Sequence, residues 1–111
     1  MLHSGSDAHT APWLERVKRS AQIIVENPTH LLGFNEPDMC DSGAGGSCMD
    51  VEKAVAKWKE FMEPAKAFKP PMYFGSPAVT NASGSKQGLN WLRAFMEQCS
   101  DCKVDFICIH W

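Results

Sequence analysis

Apolar positions along this chain switch between two spacings. Trp13, Val17, Ala21 and Ile24 recur at intervals of four, four and three, which is one face of a helix. Ala11-Pro12 opens that helix, since proline is tolerated in a first turn. Asn27-Pro28 closes it, because the residue before proline avoids helical dihedrals. Val51, Ala54, Val55, Trp58, Phe61 and Met62 form a second helical stripe. Ser47 or Asp50 can cap it by accepting its free amide hydrogens, and Pro64 kinks it or ends it near Met62. Leu89, Leu92, Phe95 and Met96 mark a third helix ending near Cys99.

Short apolar runs lie between these stripes. Leu31 to Glu36 stops abruptly at Asn35-Glu36-Pro37, Met72 to Pro77 stops at another proline, and Val104 to Trp111 is a third run. Met1-Leu2-His3 reads as the tail of a further strand, and Ser4 to Thr10, Asp41 to Ser47 and Thr80 to Lys86 read as polar loops. The order is thus partial strand, helix, strand, helix, strand, helix, strand. Such alternation predicts an α/β chain of parallel strands joined by crossover helices. The strands lack clean polar alternation, as expected where both faces are covered. An open doubly wound sheet and a segment of a (β/α)8 TIM barrel both fit.

Composition narrows the function class. The chain has 111 residues, 44% hydrophobic and 22% charged, which is a globular profile. Net charge is -2 without a basic run, which argues against a nucleic-acid surface. No apolar stretch reaches the ~20 residues of a membrane span, and Met1 to Gly5 does not begin a signal peptide. Five cysteines suit a secreted or extracellular protein with local disulfides, so the natural N-terminus is expected upstream.

Sites in parallel α/β folds form at the carboxyl ends of strands. Those ends carry His3, Asn35-Glu36, Ser76 and His110-Trp111. Together they offer hydrogen-bond partners for sugar hydroxyls and an indole for a pyranose face. A glutamate beside apolar and aromatic walls is the setting a general acid needs. The plain alternatives are a solvated carboxylate at Glu36, a turn-capping Asn35, and core packing by His110 and Trp111. Cys99-Ser100-Asp101-Cys102 follows a helix, whereas redox pairs open one, so a small structural disulfide is favoured. Zinc held by Cys40, Cys48, Cys99 and Cys102 is disfavoured by the wide Cys40–Cys48 gap. The Gly43 to Ser47 loop lacks the Lys-Ser/Thr ending of a phosphate cradle, and Asp38 and Asp41 lack calcium-loop spacing. Asn81-Ala82-Ser83 is an N-glycosylation sequon.

Leu31-Leu32-Gly33-Phe34-Asn35-Glu36-Pro37-Asp38, then Gly75-Ser76-Pro77-Ala78-Val79-Thr80-Asn81, Gly88-Leu89-Asn90-Trp91-Leu92, Cys99 and Cys102, and Asp105-Phe106-Ile107-Cys108-Ile109-His110-Trp111 follow one another in order. The ordered set resembles glycoside hydrolase family 128, the alkali-sensitive-linkage-type catalytic core, over nearly the whole chain. The resemblance implies that residues 1–111 are a partial glycosyl hydrolase catalytic core, about strands three to six of a (β/α)8 barrel. It implies a retaining β-1,3-glucanase acting on cell-wall β-glucan, secreted or wall-bound, monomeric when complete, with no cofactor or metal. Glu36 matches the general acid/base. Asn35 matches the neighbour that bonds the sugar 2-hydroxyl, and His110 and Trp111 match sugar contacts. Asn81 matches the loop after the fifth strand, where, unless its sequon carries a glycan, it is expected to contact sugar. His3 stands at the third strand end, where the family often has an aromatic. Cys40–Cys48 reads as a disulfide across the loop beside the site.

The same resemblance puts the nucleophilic glutamate at the end of the seventh strand, which these residues do not reach. Retaining hydrolysis needs a second carboxyl ~5–5.5 Å from the first. Asp38, Asp41 and Asp105 are no credible substitutes, so the 111 residues alone are expected to be inactive. The rival expectation is a non-catalytic β-glucan-binding or cell-wall interaction protein on a decayed barrel, using Trp111 and Asn35.

Overall fold

A computed structural model describes residues 1–23 and 30–111. The ends expected of the first long helix at Ile24 and Asn27-Pro28 lie outside the described residues. Helix α1 spans Asp7–Thr10 and α2 spans Trp13–Ile23. Strand β1 spans His30–Leu32. Helix α3 spans Val51–Phe61 and continues as a 3-10 turn over Glu63–Ala67. Strand β2 spans Tyr73–Gly75, and α4 spans Gly88–Gln98.

The short helix α1 corrects the reading of Ser4 to Thr10 as a loop. Its cause is local. The Ser6 carbonyl accepts from His9 N–H, Thr10 N–H and the Thr10 hydroxyl, all at 3.0–3.1 Å. Asp50 caps α3, its Oδ1 accepting from Lys53 N–H at 2.7 Å. Pro64 sits in the 3-10 turn, past the end of α3.

β1 and β2 are parallel, with His30 opposite Tyr73, Leu31 opposite Phe74 and Leu32 opposite Gly75. Leu2 and His3 lie along the outer side of β1, where Leu2 N–H donates to Leu32 O and His3 O accepts from Asn35 N–H. Residues 105–110 lie along the far side of β2, with parallel bridges Gly75–Phe106 and Val79–Ile109. Four segments therefore sit side by side in chain order.

The regular strands are shorter than the apolar runs. Side chains take ladder positions. Ser76 Oγ accepts from Cys108 N–H at 2.9 Å, and Asp105 Oδ2 accepts from Phe74 N–H at 2.7 Å. Pro77 has no N–H to offer. Beyond these interruptions the pairing resumes, with a further bridge between Asn35 and Ala78.

Leu31 and Phe74 share the buried face and join one core with Trp58 and Phe95. Phe34 meets Trp58 edge-on, Trp58 meets Phe95 edge-on, and Trp91 stacks on Phe95. Each of three indoles finds an acceptor: Trp13 donates to Phe61 O, Trp58 to Glu63 Oε1 and Trp91 to Met49 O. This packing fixes α3 and α4 against each other and against the strands. Cover fails on the last segment: Ile109 pairs with buried Val79 yet is 56% exposed, and Ile107 is 55% exposed.

Candidate active site

Parallel pairing brings the ends of the apolar runs to one edge of the sheet. Glu36 ends the first run. Its N–H donates to Ala78 O at 2.8 Å, and its carbonyl accepts from Met39 N–H at 3.0 Å. Pro37, at the next position, is fully buried. Glu36 is held at φ +40°, a left-handed conformation that non-glycine residues rarely adopt. Such a conformation costs about 1–3 kcal/mol and persists only where surrounding structure enforces it.

Part of that enforcement comes from a closed loop. Cys40 and Cys48 form a disulfide. Ser47 N–H donates to Asn35 O at 2.9 Å, and Met49 N–H donates to Pro37 O at 2.8 Å. Gly46 has no room for a side chain, since a Cβ there would meet Met39 O at 2.5 Å and Glu36 O at 2.9 Å. The loop therefore lies directly on the Glu36 turn.

His110 is placed by its own backbone, whose N–H donates to Val79 O at 2.8 Å. Its Nδ1 lies 2.9 Å from Glu36 Oε1 across 74 residues of sequence. The Glu36 side chain is 22% exposed and the His110 side chain 41% exposed. With Nδ1 protonated, Oε1 accepts that proton whether Glu36 is ionised or carries its own proton on Oε2. In both states one proton lies between the same two atoms, and the carboxyl keeps its orientation.

The other expected site residues fall around this pair. Asn35 precedes Glu36, and its amide nitrogen donates to Gly45 O at 3.2 Å, so part of that side chain serves the loop. His3 lies beside Asn35 through the His3 O to Asn35 N–H bond. His3 Nδ1 is buried without a hydrogen-bond partner among the described residues. The His3 ring stands 4.9 Å from the His9 ring, and His9 Nδ1 reaches Ser4 Oγ and Ser6 Oγ. Asn81 is exposed on a bend. Together with Thr80, Leu89, Asn90, Ile109, His110 and Trp111 it lines a cavity of about 350 Å³. Glu36 is not among those walls; His110 is the residue common to the pair and the cavity. Trp111 is fully exposed, not part of the core.

Cys99 pairs with Cys102 at the end of α4, away from the strand ends. Cys108 is a free, half-buried thiol, which burial pushes above its ordinary range. Sequence reasoning missed the role of Asp38. It is buried at 6% exposure, and its carboxylate accepts from Thr80 N–H, Thr80 Oγ1–H and Gly88 N–H. The available signal was an acidic residue placed just after an apolar run that ends in proline.

Comparison with known proteins adds an independent line. A family model described as glycosyl hydrolase catalytic core matches residues 1–111. Alkali-sensitive linkage protein 1 of Schizosaccharomyces pombe is 37% identical over 92 residues, covering 83% of this chain and 16% of that protein. A GH128 (subgroup III) curdlan-specific exo-β-1,3-glucanase from Blastomyces gilchristii, solved with glucose, superposes with a TM-score of 0.81 at 31% identity. All of this chain is covered, and 43% of that one. A GH128 (subgroup II) endo-β-1,3-glucanase from Sorangium cellulosum gives 0.69 at 31% identity, with all of this chain and 41% of that one covered. The chain thus spans about one sixth of the curated relative and less than half of these solved structures.

Proposed function

The chain belongs to the glycosyl hydrolase catalytic core family, and on that premise we propose that it is part of a retaining β-1,3-glucanase with Glu36 as general acid/base. Its 111 residues are then about strands three to six of a (β/α)8 barrel, one partial catalytic core domain. Four neighbouring segments in chain order and the uncovered Ile107 and Ile109 support the barrel reading. β-1,3-glucan is the substrate class because the similar solved structures are β-1,3-glucanases. The two disulfides suit an extracellular or cell-wall setting.

One observation carries the assignment of the residue: the Glu36–His110 contact at 2.9 Å, made where parallel strands end. His110 occupies Oε1. Oε2 is the oxygen we assign to the glycosidic bond. In the first step Glu36 donates its proton to the departing sugar oxygen while a second carboxylate attacks the anomeric carbon. The glycosyl-enzyme ester that results is opened by water, whose proton Glu36 takes back. That second carboxyl, ~5–5.5 Å away in retaining enzymes, is proposed to come from outside residues 1–111, so these residues alone turn over no glucan. Asn35 would bond the sugar 2-hydroxyl. His3, Asn81, His110 and Trp111 would flank it.

The test is Glu36→Gln in the complete protein, scored by release of laminari-oligosaccharides. Losing a general acid/base is expected to cost about 10²–10⁴-fold in rate. Activity within threefold of the parent would remove Glu36 from the chemistry.

A further inference from the structure

Asp38 is a buried carboxylate that the proposed mechanism leaves unused. Its Oδ2 accepts from the Thr80 hydroxyl at 2.6 Å and from Gly88 N–H at 2.8 Å, and its Oδ1 accepts from Thr80 N–H at 3.1 Å. Gly88 opens α4, so its N–H is one of the first-turn donors that the helix itself cannot satisfy, at the positive end of the helix dipole. Gly88 is held at φ +52°, and a Cβ there would collide with Ala82 O. The segment around Thr80 and the start of α4 are thus locked together around one carboxylate.

Asp38 also sits inside the turn in which the Glu36 carbonyl accepts from Met39 N–H. Glu36 occupies its unfavourable φ of +40° at the head of that turn. The disulfide-closed loop holds one side of this turn, and the Asp38 bonds hold the other. We infer that Asp38 is a positioning residue for Glu36: its bonds to Thr80 and Gly88 hold the Glu36–Met39 turn in the conformation that aims the Glu36 carboxyl. This rests on the reading of Glu36 as the general acid.

A positioning role and a purely structural one differ in their dependence on the leaving group. A sugar alkoxide leaves poorly and needs the acid's proton, whereas dinitrophenolate leaves without it. The experiment compares kcat/KM on β-1,3-glucan and on a dinitrophenyl β-1,3-glucoside, for the complete protein and its variants Asp38→Asn, Thr80→Val, Thr80→Ser and Glu36→Gln. Asp38→Asn is expected to lose about tenfold or more on glucan and less than about threefold on the activated substrate. Thr80→Val, which removes only the hydroxyl donor, is expected to show the same selectivity at smaller size, and Thr80→Ser to restore it. Equal loss on both substrates would overturn the inference. If Asp38→Asn does not fold, Thr80→Val decides on the same criterion. Glu36→Gln separates the two claims. If it shows no leaving-group selectivity, the acid assignment fails; if it does and the Asp38 and Thr80 variants do not, only the positioning role fails.

Discussion

At the strand starts, carboxylates sit with lysines. Glu63 pairs with Lys66 at 2.6 Å, and its Oε1 also accepts from Trp58 Nε1–H and Lys103 N–H. Asp105 lies 3.5 Å from Lys103 Nζ and accepts from Phe74 N–H. At the strand ends, Glu36 has an imidazole as its partner, and Asp38 has a hydroxyl and two backbone N–H groups. The first arrangement ties helix, 3-10 turn and strand together with conventional charge pairs. The second holds an unfavourable backbone angle at Glu36 and keeps its carboxyl oriented at the surface. Strain and a partly exposed carboxyl are poor ways to stabilise a fold and good ways to present a reactive group. If Glu36 is the acid proposed above, the molecule separates charge-paired packing at the strand starts from chemistry at the strand ends.

The separation can be broken from either side, in the complete protein. The largest effect is expected from the packing. Trp58→Ala removes a fully buried indole between Phe34 and Phe95 and should cost about 3–5 kcal/mol, read as a lower urea midpoint. Next, His110→Ala should lower kcat/KM on β-1,3-glucan by roughly 10–100-fold, about 1.4–2.7 kcal/mol. Its melting temperature should stay within about 2 °C of the parent, since His110 is partly exposed. The smallest effect belongs to the strand starts. Glu63→Gln keeps an oxygen for Trp58 and Lys103 and loses only the charge facing half-exposed Lys66. Its stability should fall by about 1 kcal/mol or less with kcat unchanged. A large kinetic loss in Glu63→Gln, or a large stability loss in His110→Ala, would erase the distinction between the two edges.

Much of the fold could be read from spacing, because burial imposes period on sequence. Val17 and Ala21, Ala54 and Trp58, and Leu92 and Phe95 are buried on the helix faces that their intervals indicated. The parallel pairing of the strands followed from the alternation of elements. What spacing could not carry is side-chain substitution in the ladder. Ser76 and Asp105 shorten the regular strands by accepting N–H groups from Cys108 and Phe74, and no periodicity marks such a residue. Helix α1 was missed because Ser6 and Thr10 nucleate it through hydrogen bonds rather than through an apolar stripe.

The site divides in the same way. Glu36 stood out because an apolar run ends in a carboxylate and a proline. Its contact with His110 spans 74 residues, and the Asp38 contacts with Thr80 and Gly88 span 42 and 50, distances over which sequence pattern holds no signal. Trp111 shows the converse. It stands at the end of a legible apolar run, yet its side chain is fully exposed.

The most direct test of the Glu36–His110 pair as one catalytic unit is a double-mutant cycle. Glu36→Gln, His110→Ala and the double variant are made in the complete protein, and kcat/KM on β-1,3-glucan is measured for each. If His110 acts through Glu36, the double variant is expected to be no slower than Glu36→Gln within about threefold, because groups that act as a unit are non-additive. Losses that multiply, with the double variant slower by the full product of the two single effects, would contradict it.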